Sequence, residues 1–381
     1  MAFSMLQLFL LGALGPRLVD DLDVAPTTLG LTTTLGFGTA AALSPVGGRI
    51  VDRVGPRRAL AALLLLSALA LALIGTAPGP GLLLAAVALG GVPQALANPA
   101  TNKAILATVA PARRGAVTGV KQSGVQLGAF AAGLPLAALA SWLGWRGAVW
   151  TAAAAAALTA AWSLRALPPP SVKPLAAATP PARPVEPPPR GGIAGLALFS
   201  LLLGCGIASV NTYVALYGTR RLDLGPGAAA ALVAVLGVAG IVGRVAWSRA
   251  ARPGLAEWLP GWLAAGSVGA ALLLAAAEQA RPLVWVAVLA VGGCAVSANA
   301  VSMVLVLARA APGRAGRDSA LVSAGFFTGF AVGPPLFGLL ADAGHYGPGW
   351  ALVAAEFAAA CAVGLHWAHQ HRAPRREACA P

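Results

Sequence analysis

Apolar runs of about twenty residues follow one another along the whole chain, separated by short polar stretches. A bilayer core of about 30 Å takes about 20 residues of helix to cross. The pattern predicts an all-α integral membrane protein of twelve transmembrane helices. The first span, about 1–16, is short. At 1.5 Å per residue it reaches about 24 Å. It lacks the basic flank and cleavage site of a signal peptide, so it reads as a true first helix. Arg17 to Pro26 reads as an outer loop. Further spans follow at about 28–47, 59–77, 82–106, 115–140 and 147–166. The second set lies at about 193–216, 226–247, 258–277, 282–308, 319–341 and 350–368.

Residues 167–191 hold ten of the 30 prolines, including Pro168-Pro169-Pro170 and Pro187-Pro188-Pro189. Such a segment cannot be helical and predicts an extended linker in water. It divides the chain into a six-helix bundle over 1–166, the linker 167–191, a second six-helix bundle over 192–369 and a tail, 370–381. The halves resemble each other. A shift of 201 residues lays Ala110, Pro111, Arg113, Gly115, Gly124 and Gly128 on Ala311, Pro312, Arg314, Gly316, Gly325 and Gly329. Glycines at that spacing let helices pack closely.

Composition agrees: 58% of residues are hydrophobic and 10% charged, against roughly 25% charged in a soluble domain. The net charge of +14 would suggest nucleic acid in a soluble protein. Here it reads instead as basic loops that set membrane orientation. With both termini cytoplasmic, 21 of the 26 Lys and Arg residues fall inside. Only Arg17, Arg146, Arg220, Arg221 and Arg281 fall outside. The four cysteines have no metal-ligand spacing and imply no disulfide framework. No cofactor is expected, and no phosphate-cradling loop points to ATP.

One polar stretch stands apart. Gly48-Arg49-Ile50-Val51-Asp52-Arg53-Val54-Gly55-Pro56-Arg57-Arg58 lies between two apolar runs and reads as a loop in water. Its spacing, Gly-x-x-x-Asp-Arg-x-Gly-x-Arg-Arg, resembles the signature loop of the major facilitator superfamily of transporters. The resemblance implies two pseudo-symmetric six-helix bundles rocking about a central site. It implies a conformational latch in which Asp52 sits near the N-terminus of helix eleven, around Arg317-Asp318-Ser319. Arg53 with Arg57 or Arg58 would be its partners, and Gly48 and Gly55 the packing and turn positions. A solvated loop that only sets topology is the alternative. The second half has a weaker copy, Gly243-Arg244 to Arg249, without the acid.

Amides are costly in hydrocarbon and should face a cavity or another helix. Asn98 and Asn102 share one face of span four, and Gln122 and Gln126 one face of span five. With Lys121, Asn211, Tyr213 and Asn299 they form the candidate substrate contacts. The Lys121 ammonium could attract an anion or snorkel to headgroups. Glu356, the only acid well inside a span, is the candidate for a coupling proton. The expected function is secondary active transport of a small solute by alternating access, with a small anion favoured. Efflux of hydrophobic compounds is the alternative, although the resembled drug antiporters carry Gly-x-x-x-Gly-Pro in helix five. Their full pattern goes on with x-x-Gly-Gly, and the nearest match to it here, Gly329-x-x-x-Gly333-Pro334, lies in span eleven. An intramembrane enzyme is not expected, since the four histidines join no catalytic cluster. The expected partners are a small-molecule substrate and the lipid bilayer of an inner (plasma) membrane. The expected state is a monomer without nucleic acid.

Overall fold

The structure, a computed structural model, describes residues 1–166, 192–250, 254–309 and 315–371. The proline-rich stretch 167–191 and the tail from 372 lie outside the described residues. The first half contains α1 (Ala2–Ala13), α2 (Gly15–Leu22), α3 (Pro26–Val54), α4 (Pro56–Thr76), α5 (Pro80–Thr108), α6 (Pro111–Gly133) and α7 (Pro135–Ala166). The second contains α8 (Gly192–Arg221), α9 (Pro226–Ala250), α10 (Leu259–Ala276), α11 (Leu283–Val291), α12 (Ser297–Arg309), α13 (Ala315–Asp342) and α14 (Tyr346–His371). A π-helical turn, Gly292–Val296, joins α11 to α12. Six of these helices begin with proline, whose missing N–H costs nothing at a first helical position. Nine described helices, or ten with α1 and α2 taken as one bent span, are long and apolar enough to cross a membrane, against the twelve spans expected. The long helices α3 and α6 do not pass, and both pack against the opposite half rather than facing lipid alone.

Three expectations change. First, most of the signature stretch is not a loop. Helix α3 continues to Val54 and α4 starts at Pro56, so the connection is Gly55 alone, at φ +84°. Only glycine adopts that conformation without strain. Second, the presumed outer loop after residue 16 is mostly α2, set off from α1 by a 67° bend. Pro16 cannot continue the hydrogen-bond ladder of α1, while Leu18 and Val19 are buried and hold α2 down. Third, span five stops at Gly133, and α7 passes through a kink at Gly144 with φ +70° before forming span six. In span ten the Gly292-Gly293 pair admits the π turn, and the Trp247 indole donates to the Gly293 carbonyl at 2.9 Å.

The repeat seen in the sequence has a physical counterpart. Gly124 and Gly128 of α6 face α1, and Gly325 and Gly329 of α13 face α8. In each half the fifth span therefore packs its glycine pair against the first. A Cβ added at Gly124 would meet Met1 and Ala2 at 3.6 and 3.7 Å, ordinary contact. One added at Gly329 would collide with the Leu201 carbonyl and sit 2.8 Å from the Cys205 nitrogen. Aromatic stacking completes the second half: Tyr213 and Trp350 lie 4.7 and 4.6 Å from Phe337, ring centre to ring centre.

The halves meet through α3 with α13, α6 with α9 and α1 with α8. The first turns of α3 are tied to the last turns of α13. Asp342 accepts from the Thr27 amide at 2.9 Å and from its hydroxyl. Thr34 donates to Ala331 O at 2.6 Å, and Tyr213 donates to Pro26 O at 3.0 Å. A carboxylate at a helix N-terminus is favoured by the helix dipole. Charges at this end are neutralised by pairing: Arg146 with Asp21, Arg220 with Asp20, Arg221 with Glu278, and Arg281 with Asp223. Arg17 donates to Ala140 O. Each of the five basic residues that the sequence segregated to one side thus has a partner.

Three outcomes follow from this packing. Gly329→Ala is expected to cost about 1–3 kcal/mol by overpacking and to lower the melting temperature in detergent, whereas Gly124→Ala leaves it nearly unchanged. Asp342→Asn removes a charge-assisted bond of ~1 kcal/mol at an exposed site. In a chain cleared of other cysteines, maleimide should then label a Thr33→Cys reporter about fivefold faster; an unchanged rate would mean that Asp342 does not hold this end shut. The third concerns acid. The hydrogen bond from Arg221 holds the Glu278 carboxyl below its usual value. Its contribution is therefore full above about pH 4.3, the unperturbed value, and fades as pH falls through the lowered one. The small melting difference between wild type and Glu278→Gln at pH 7 should shrink towards pH 3.

Candidate functional site

Side chains from both halves enclose a cavity at their interface. It has about 420 Å³ of empty space with its open mouth included. Helix α1 contributes Met5, Leu8 and Phe9, α3 contributes Phe37, and α6 contributes Val125 and Gln126. From the other half come Ile207 and Asn211 of α8, Arg244 of α9, Val296 of the π turn, and Phe326 and Phe330 of α13. Most of this wall is apolar. Phe330 stands 4.6 Å from Phe37 across the interface and 4.5 Å from Phe326, ring centre to ring centre.

The polar part is small and incompletely paired. Arg244 Nη1 donates to the Gln122 carbonyl at 3.3 Å, while its buried Nε has no partner among the described residues. Gln126 is buried with Oε1 unpartnered, packed against Gly240, one helical turn before Arg244. The shared face of Gln122 and Gln126 on α6 thus opposes the shared face of Gly240 and Arg244 on α9. The Asn211 amide nitrogen donates to Ile207 O at 2.8 Å, which leaves Oδ1 buried and unpartnered. A buried polar group without a partner costs about 1–3 kcal/mol, and more when charged.

A second cluster lies within the first half. Lys121 Nζ donates to Asn98 Oδ1 at 3.2 Å and to Asn102 Oδ1 at 2.8 Å. Three sequence candidates therefore meet, with the ammonium as a clamp between α5 and α6. Tyr213 is buried against Phe337, its hydroxyl engaged with Pro26 at the tied end. Asn299 and Glu356 each bury one oxygen without a partner, and neither lines the cavity. In the signature stretch, Arg57 donates to Leu164 O and so caps the end of α7, while Arg53 and Arg58 are exposed. The side chains of Gly48, Asp52, Arg317 and Asp318 lie outside the described residues.

Arg244 is the residue that sequence reasoning missed. It was counted among the basic groups of an inner helix end. The signal was present, since the span read as 226–247 already contained it.

The Major Facilitator Superfamily model matches residues 1–317. The chain belongs to this superfamily. No curated protein matches it in sequence. Solved superfamily structures share its fold. A bacterial homologue of the human lysosomal transporter Spinster, inward-facing and occupied, is 15% identical, with a TM-score of 0.77 over 98% of this chain and 96% of that one. The nucleoside transporter NupG is 14% identical, TM-score 0.71, over 96% and 97%. The human organic anion transporter MFSD10 (TETRAN) is 16% identical, TM-score 0.71, over 95% and 97%. At such identities the likeness is one of fold, and the site must be read from this chain's own residues.

Proposed function

We propose that this superfamily member is a secondary active transporter that moves a small anionic solute through the cavity between its halves by alternating access. The observation that carries the reading is Arg244, a cation at the interface whose Nε has no partner among the described residues. A guanidinium at membrane depth is costly unless it serves a pathway or finds an anion. The bundles 1–166 and 192–369 rock about this point, the linker 167–191 tolerates the motion, and Asp52 acts as the latch of one state. The membrane is the cell's inner (plasma) membrane. With both termini inside, the end tied by Asp342 would lie outside. Efflux of hydrophobic compounds is the second reading, favoured by the phenylalanine wall of the cavity.

Counterflow in proteoliposomes separates them, using pooled anions, neutral solutes and organic cations. Exchange from the anion pool is expected, reduced at least tenfold in Arg244→Gln, since loss of one partner of a buried charge pair costs 2–5 kcal/mol or more. Lys121→Ala should weaken exchange less, because Lys121 is already held by two amides. Exchange confined to neutral solutes or organic cations, or anion exchange indifferent to Arg244, would overturn the anion assignment.

A further inference from the structure

We infer that the solute is a monocarboxylate with a ring-sized apolar body that also carries a hydrogen-bond donor. The inference rests on the reading of the chain as an anion transporter and narrows the class of anion. Three features of the cavity lead to it.

The first is charge. Among the described residues that line the cavity, Arg244 is the one cation and none is an acid. One guanidinium matches one negative charge. A dianion such as succinate or sulfate would bring a second charge into a phenylalanine wall with nothing to offset it. The planar fork of arginine also suits a planar carboxylate, which it can bind through two parallel bonds.

The second is the apolar wall. Phe9, Phe37 and Phe330 are all at least 95% buried, and with Phe326 they face the space beside the guanidinium. Acetate or phosphate would leave this surface uncovered. A ring covers it and gains stacking as well as burial.

The third is hydrogen bonding. Two amide oxygens, Asn211 Oδ1 and Gln126 Oε1, are buried without a partner among the described residues, on side chains 2% and 4% exposed. Since the Asn211 nitrogen is fixed on Ile207 O, its oxygen is left to accept. An acceptor in an apolar site is satisfied by a hydroxyl or amine on the ligand and left orphaned by a bare hydrocarbon.

The test uses the full chain in proteoliposomes, with 4-hydroxybenzoate as the labelled probe and a thermal-shift measurement on the same protein in detergent. The expected result is counterflow of 4-hydroxybenzoate and an upward thermal shift. Benzoate should compete about fivefold more weakly, and acetate, phosphate and succinate at least fiftyfold more weakly. Phe330→Ala should raise the half-saturation concentration about tenfold. Asn211→Leu should erase the preference for 4-hydroxybenzoate over benzoate, read as the ratio of their half-saturation concentrations. Arg244-dependent exchange of succinate, phosphate or acetate in preference to both ring acids would overturn this inference and leave the anion assignment standing. Equal competition by neutral 4-hydroxybenzyl alcohol would overturn both. Absence of counterflow and of any thermal shift with either ring acid would overturn the inference without help from a variant.

Discussion

Helices in hydrocarbon gain little from burying apolar side chains against one another, since lipid is as apolar as they are. Their association depends on how closely backbones can approach. In this chain that constraint is met by glycine at the contacts that matter most. Gly325, Gly329 and Gly333 bring α13 onto the backbone of α8, and Gly30 brings α3 onto Pro334 of α13. On the other flank Gly133 approaches Ala230 and Ala234, and Gly237 approaches Gln126 and Ala129. The same device builds each half and joins the halves. An interface of small residues is also one that can separate, because little side-chain interdigitation resists the motion.

The second constraint is where charge can reside. At the end carrying α2, arginines are met by Asp20, Asp21, Asp223 and Glu278, or by the Ala140 and Ala77 carbonyls. Paired charges at a membrane surface are inexpensive and ordinary. Arg244 is a different case, because among the described residues it donates to a backbone carbonyl at 3.3 Å and its Nε finds no acceptor. Nothing in the packing of α6 on α9 requires a guanidinium there, since Gly240 already provides close approach on the same face.

The order of the spans could be read from apolar runs, and the repeat from glycines in register, because both depend on side-chain size and polarity alone; the count of twelve was not reached, since nine or ten described helices are long and apolar enough to cross. The boundaries could not. A helix that projects into water still carries Arg49, Ile50 and Arg53, so α3 outlasts its apolar stretch and shrinks the signature loop to Gly55. The cavity was legible in part. Gln126 and Asn211 were chosen because amides in hydrocarbon must face something, and they line the space between the halves. Lys121, Asn98 and Asn102 were chosen by the same rule and satisfy one another instead. Sequence shows that a polar residue needs a partner, but not whether that partner belongs to the protein.

That distinction bears on how the two basic clusters can act. Lys121 and both its amides lie in the first half, so a rocking motion of one bundle against the other carries all three together. Under the proposed rocking motion their bonds would be kept, and they would stabilise the bundle without reporting on transport. Arg244 belongs to the second half, while the Gln122 carbonyl it reaches, and Gln126 beside it, belong to the first. Any relative movement of the halves changes that geometry. A ligand that supplies the charge Arg244 lacks, while touching Phe37 on one side and Phe330 on the other, therefore has different affinities for the two states. Differential affinity is the only means by which a solute can bias a conformational equilibrium. In this molecule the means is provided by Arg244, a cation that lines the cavity between the halves.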